Sequence, residues 1–101
     1  MENITIDQLK AKIDSGEELI LVDVREPAEN AEFNIGGTLL PLGRIQAMQI
    51  DEIDEHKNDE VIVYCRSGNR SGQAAMFLET VGFKNVKNLQ GGMLAWADKY
   101  K

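Results

Sequence analysis

Apolar residues fall into short blocks along the chain, and the spacing within the blocks alternates between a helical period and continuous runs. Ile6, Leu9 and Ile13 recur on one helical face, and Gly16 ends that segment. Thr5-Ile6-Asp7-Gln8 reads as a capping box for this helix, with Ile4 and Leu9 placed as a hydrophobic staple. Leu19-Ile20-Leu21-Val22 is a continuous apolar run, the pattern of a strand buried on both faces. Charge and proline in Asp23-Val24-Arg25-Glu26-Pro27 bring it to an end. Gly36-Gly37 marks a turn before Thr38-Leu39-Leu40, a short strand stopped by Pro41. Residues 44–57 carry a weak helical signal, with Ile45, Met48 and Ile53 roughly in phase.

The second half is clearer. Val61-Ile62-Val63-Tyr64 is β-branched and apolar, and Cys65 follows it at once. A polar loop, Arg66-Ser67-Gly68-Asn69-Arg70-Ser71, leads into a helix with Ala74, Phe77, Leu78 and Val81 on one face and Gly82 as its stop. Val86 to Leu89 predicts a last strand, and Gly91-Gly92 turns the chain into a final helix bearing Leu94, Trp96 and Tyr100. Strands alternating with helices predict an α/β fold, a mostly parallel sheet with helices on both faces. Sites in such folds form beyond the carboxyl ends of the strands. Cys65 with its loop, and the Asp23–Arg25 segment, both stand at such ends.

Length and charge narrow the function. The 101 residues fit one domain, taken here as residues 1–101. No apolar run approaches the roughly 18 residues of a membrane span, and Met1-Glu2-Asn3-Ile4 lacks the basic flank of a secretory signal. The expected location is therefore cytoplasmic, with no membrane partner. A formal charge of −6 argues against a nucleic-acid partner, whose phosphates reward a basic surface. The single cysteine excludes an internal disulfide framework, and together with the lone His56 it excludes a zinc site built from Cys and His. His56, among Asp54, Glu55 and Lys57, reads as a solvated surface residue. No metal or organic cofactor is expected.

The chemistry concentrates at Cys65. A lone cysteine after a buried strand usually serves as a small core residue. Here it is followed by four residues, then Arg70, then a helix, and several effects converge on its sulfur. The helix start offers free N–H groups and the positive end of a dipole. Gly68 allows a tight loop whose amides turn inward as an anion nest. Arg66 and Arg70 add positive charge within an acidic protein. Each effect favours thiolate over thiol, and the thiolate is the nucleophile. Cys65 and Arg70 are accordingly the candidate catalytic residues, and Arg66, Ser67, Gly68 and Asn69 the candidate substrate-binding ones. The expected reaction is two-step nucleophilic sulfur transfer, with an anionic donor such as thiosulfate and a cyanide or thiol acceptor. An ionised nucleophile needs no general base.

Three segments resemble signatures of the rhodanese family. Val63-Tyr64-Cys65-Arg66-Ser67-Gly68-Asn69-Arg70-Ser71 is similar to its active-site loop and preceding strand. Leu21-Val22-Asp23-Val24-Arg25-Glu26-Pro27 resembles its N-terminal signature, and Asn88-Leu89-Gln90-Gly91-Gly92-Met93-Leu94-Ala95-Trp96 its C-terminal one. The resemblance covers nearly the whole chain and implies a five-stranded parallel sheet flanked by helices. It also implies Cys65 as the carrier of a persulfide, the loop amides from Arg66 through Arg70 as its cradle, and Asp23 and Arg25 as structural support. Gly91-Gly92 and Trp96 are read as chain reversal and packing. The chain departs from the family between residues 29 and 41. Where rhodanese domains usually read Glu-Tyr and then Gly-His-Ile-Pro-Gly, it has Glu29-Asn30 and Phe33-Asn34-Ile35-Gly36-Gly37, which bears on the pocket rim and donor preference. The run Ile35 to Leu42 is similar to rhodanese domains fused to E1-like sulfur-carrier-activating enzymes, which implies a protein sulfur acceptor.

Two other functions share this fold. Cdc25-like phosphatases and arsenate reductases need five residues between cysteine and arginine to cradle a tetrahedral oxyanion, and this loop has four, Arg66 to Asn69. A non-catalytic interaction module is the other, since fold does not fix function.

Overall fold

The computed structural model describes residues 1–100. Five parallel strands form one sheet in the order β1-β5-β4-β2-β3, with β1 at Glu2–Ile4, β2 at Ile20–Asp23, β3 at Thr38–Leu39, β4 at Glu60–Tyr64 and β5 at Asn85–Leu89. Helices α1 (Ile6–Asp14), α2 (Pro27–Glu32), α3 (Leu42–Gln46), α4 (Asn69–Thr80) and α5 (Gly92–Tyr100) connect or follow them, with a 3-10 turn at Asp54–His56.

The central strand shows why the sheet is covered on both sides. Along β4, Val61 and Val63 join the cluster under α3 and α4 with Ile45, Ala74, Ala75 and Leu78. Ile62 and Tyr64 join the opposite cluster with Leu9 of α1 and Met93 and Trp96 of α5. Alternate residues of a strand face opposite ways, so an unbroken apolar run is what a doubly covered strand requires. The α1 capping box is present: the Gln8 amide donates to Thr5 Oγ1 at 3.1 Å, and the Thr5 amide donates to Gln8 Oε1 at 2.9 Å.

Residues 44–57 are not one helix. Met48 adopts φ 63, in the left-handed region, and reverses the chain just after α3. Met48 is consequently 55% exposed, while Ile45, Ile50 and Ile53 enter the core. Two elements lie outside the patterns read from sequence. β1 is three residues long, and α2 has no buried residue to give it a period.

Chain direction makes the site. From β2 the chain moves outward to β3, and from β4 it moves the other way to β5. The crevice between β2 and β4 is therefore the switch point where parallel sheets bind ligands. The segment leading to α2 leaves from one side of it and the Cys65 loop from the other.

The β2 side is fixed by a buried ion pair. Arg25 Nε donates to Asp23 Oδ1 and Arg25 Nη2 to Asp23 Oδ2, each at 2.9 Å, with both side chains almost fully buried. Arg25 Nη2 also donates to the Phe33 carbonyl at 2.6 Å, and Asn30 Nδ2 to Asp23 Oδ2 at 2.9 Å. The second half of α2 and the residue that follows it are thus tied to the end of β2. Asp23→Ala leaves the Arg25 guanidinium buried and unpaired, and is expected to cost about 3–5 kcal/mol of stability. Urea denaturation monitored by circular dichroism measures it. A fall in turnover without loss of stability would contradict a structural assignment for Asp23.

Candidate functional site

Cys65 lies immediately beyond β4 and keeps 1% of its surface. Its sulfur accepts a hydrogen bond from the Gly68 amide at 3.1 Å and faces the Ser71 hydroxyl at 3.3 Å. Gly68 takes φ 104, which a side chain would resist, and so brings its amide back toward the sulfur. Burial pushes the Cys65 thiol up, but the Ser71 hydroxyl and the amides of Ser71, Gly68 and Ser67 together hold it below the ordinary thiol value. Side chains of Arg66, Ser67 and Asn69 are exposed, so Ser67 acts on the sulfur through its backbone.

Neighbouring elements lock the loop. Gly92 packs so closely that a Cβ there would stand 2.5 Å from the Cys65 carbonyl oxygen and 2.6 Å from that of Arg66. The first amides of α5 bind those same carbonyls, Met93 to Cys65 and Leu94 to Arg66, each at 2.9 Å. From β5, Asn88 Nδ2 donates to the Gly68 carbonyl at 3.0 Å, and Asn88 Oδ1 meets the Ser71 hydroxyl. Gly91-Gly92 thus does more than reverse the chain, because it lets α5 dock on the loop backbone.

The two loop arginines differ. Arg70 donates through Nη1 and Nη2 to Glu29 Oε1 and Oε2, at 2.7 and 2.9 Å, across the crevice between β2 and β4. The Arg70 hydrogen bonds outweigh partial burial and hold the Glu29 carboxyl down at about 2. Sequence reasoning left the Arg70 charge free for an anionic donor, whereas the structure commits it to Glu29. Arg66 makes no ion pair among the described residues. It lines an open cleft of about 290 Å3 with Arg25, Glu29, Glu32, Phe33, Met93, Leu94 and Ala97. Among the described residues no cluster of His, Cys, Asp or Glu could hold a metal ion, and no helix is long and apolar enough to cross a membrane.

Glu29, Ser71, Asn88 and Gly92 were not singled out from sequence as parts of the site. Ser71 stood within the loop signature and Asn88 within the C-terminal one, so the signal was present without a partner to interpret it. Ser71→Ala removes the strongest of the hydrogen bonds that hold the thiol low. Cys65 is expected to titrate at higher pH in that variant and to react about tenfold more slowly with iodoacetamide at pH 7. The pH profile of alkylation, followed by intact mass, checks both.

The family model for the rhodanese-like domain matches residues 5–99. The chain is 40% identical over 98 residues to a sulfurtransferase of Allochromatium vinosum, covering 96% of this chain and 89% of that protein. It is 39% identical over 97 residues to the protein YrkF of Bacillus subtilis, covering 95% of this chain but only 51% of that longer relative. The crystal structure of a rhodanese-like domain protein from Staphylococcus aureus superposes with a TM-score of 0.85 at 32% identity, over 99% of this chain and 95% of that one. Sequence match, fold and a cysteine at the end of the central strand agree: the chain belongs to the rhodanese-like domain family, and its relatives support a role in sulfur transfer.

Proposed function

We propose that this protein carries sulfane sulfur as a persulfide on Cys65. The observation that carries the reading is the almost fully enclosed Cys65 sulfur, hydrogen-bonded by the Gly68 amide and facing the Ser71 hydroxyl at a strand-to-helix turn. With thiosulfate, the Cys65 thiolate attacks the outer sulfur, the S–S bond of the donor breaks, and sulfite leaves with the electron pair. The product is a Cys65 persulfide anion. A thiolate, cyanide or protein thiolate then attacks the outer sulfur and releases the Cys65 thiolate. Charge balances in both steps, and neither requires a proton.

In this reading the amides of Ser67, Gly68 and Ser71 stabilise anionic sulfur, as preorganised donors do at other nucleophilic centres. Arg66 offers its charge to the incoming donor. Arg70 shapes the local field while paired with Glu29, and Asp23 and Arg25 hold the β2 side of the crevice in place. The four-residue loop and the near-complete enclosure of Cys65 suit a single sulfur atom arriving end-on better than a tetrahedral phosphoryl group.

Intact-mass analysis after thiosulfate treatment tests the carrier directly. Wild type is expected to gain one sulfur atom and lose it to cyanide, while Cys65→Ser gains none. A folded, reduced protein whose Cys65 neither loads nor alkylates faster than a free thiol would point to an interaction module instead. Arg66→Ala is expected to raise the KM for thiosulfate about three- to tenfold with a smaller change in kcat, as steady-state kinetics would show.

A further inference from the structure

Arg25 and Arg66 line the cleft beside the Cys65 loop, a third arginine, Arg70, is held at its wall by Glu29, and carboxylates neutralise Arg25 and Arg70. Arg25 is paired with Asp23, and Arg70 with Glu29 through both oxygens. Glu29 is not a mobile partner. Its Oε1 also accepts from the Glu26 amide at 3.1 Å, and α2, which carries it, is anchored through Asn30 and Phe33. Arg66 therefore remains as the cleft's unpaired cation among the described residues, with Glu29 and Glu32 also on the wall. The rest of the wall includes apolar surface from Phe33, Leu94 and Ala97, and Leu94 is 50% exposed. A dianion entering this space meets one open cation and, in Glu32, one carboxylate without an ion pair among the described residues. A monoanion with an apolar substituent meets the same cation and finds surface to bury.

We propose that Glu29 is a specificity-determining residue: by holding the Arg70 guanidinium in a two-bond pair, it biases the cleft toward monoanionic sulfane-sulfur donors bearing an apolar group and against dianionic thiosulfate. The proposal rests on the reading of Cys65 as a persulfide carrier. For an organic thiosulfonate the step balances as before. Cys65 thiolate attacks the outer sulfur, the S–S bond breaks, and a sulfinate leaves with the electron pair, giving the same Cys65 persulfide anion.

Thiosulfate and benzenethiosulfonate present the same outer sulfur and differ by one charge and an apolar ring, so the ratio of their kcat/KM values isolates the effect. Glu29→Gln keeps an oxygen for the Glu26 amide and frees Arg70. It is expected to raise the ratio of thiosulfate to benzenethiosulfonate about fivefold or more. Glu32→Gln removes a cleft charge without touching Arg70 and is expected to change the ratio about twofold at most. Adding Arg70→Gln to Glu29→Gln should abolish the gain. An unchanged ratio in a folded Glu29→Gln, or an equal gain from Glu32→Gln, overturns the proposal while leaving sulfur transfer intact. Failure of both donors to load Cys65 overturns the sulfur-transfer reading and the proposal together. The unaltered protein gives a second reading free of folding effects. Benzenesulfinate should protect Cys65 from alkylation at lower concentration than sulfate does, and the reverse order overturns the assignment.

Discussion

A sulfur atom that carries negative charge while shielded from water needs hydrogen-bond donors fixed in place beforehand. That constraint organises this end of the molecule. The strand places Cys65 at the edge of the core with 1% of its surface left, where desolvation works against the thiolate. Loop amides and the Ser71 hydroxyl reverse the sign of that effect. They do so only while the backbone stays folded back on the sulfur, and this loop is too short to hold itself there. Its geometry is imposed from outside. The α5 amides take the Cys65 and Arg66 carbonyls, Gly92 makes the close approach possible, and Asn88 fixes Gly68. Residues with no chemistry of their own thereby set the chemistry of the cysteine.

Charge in this acidic protein is arranged with comparable economy around the crevice between β2 and β4. Asp23–Arg25 lies inside, where breaking one partner would strand a buried charge, and it positions α2. Glu29–Arg70 lies nearer the surface, each side chain about a third exposed, and it ties α2 to the Cys65 loop. The two pairs form a continuous brace from the end of β2, through α2, to the loop after β4. Its interior member contributes rigidity, and its outer member also determines how much positive charge an incoming anion meets.

Much of the framework was legible in the sequence because burial on two faces leaves a plain mark. The run at Val61–Tyr64 admits few readings other than a central strand, and a cysteine placed directly after it falls at the carboxyl end of a parallel sheet. Thr5 and Gln8 announced their helix through a local capping pattern. What escaped was short or long-range. Glu2–Ile4 is too brief for a period, and α2 is held by side-chain ties and packs no buried residue of its own. Met48 spoiled the apparent phase of 44–57 because a left-handed residue ended the helix there. The site partners were hidden by sequence distance. Glu29 and Arg70 are 41 positions apart, and Ser71 and Asn88 are 17 apart. A charged residue shows its sign in a sequence but not whether that charge is already satisfied, which is why Arg66 and Arg70 could not be told apart before the fold was known.

Ser71 carries the same lesson one step further into the chemistry. Its hydroxyl has a single hydrogen and faces two acceptors, the Cys65 sulfur and Asn88 Oδ1. The sulfur can win that hydrogen only when its charge outbids an amide oxygen, which a thiolate does and a thiol does not. Asn88 therefore satisfies the buried hydroxyl while the cysteine is a thiol and the sulfur does so once it is a thiolate, and no buried polar side-chain atom among the described residues is left without a partner. The same asparagine fastens Gly68 through its other end. One side chain thus couples the position of the cradle amide to the availability of the cradle hydroxyl. Stabilisation of the Cys65 anion is a property of that network, and any partition of it into separate residue contributions would count Asn88 twice.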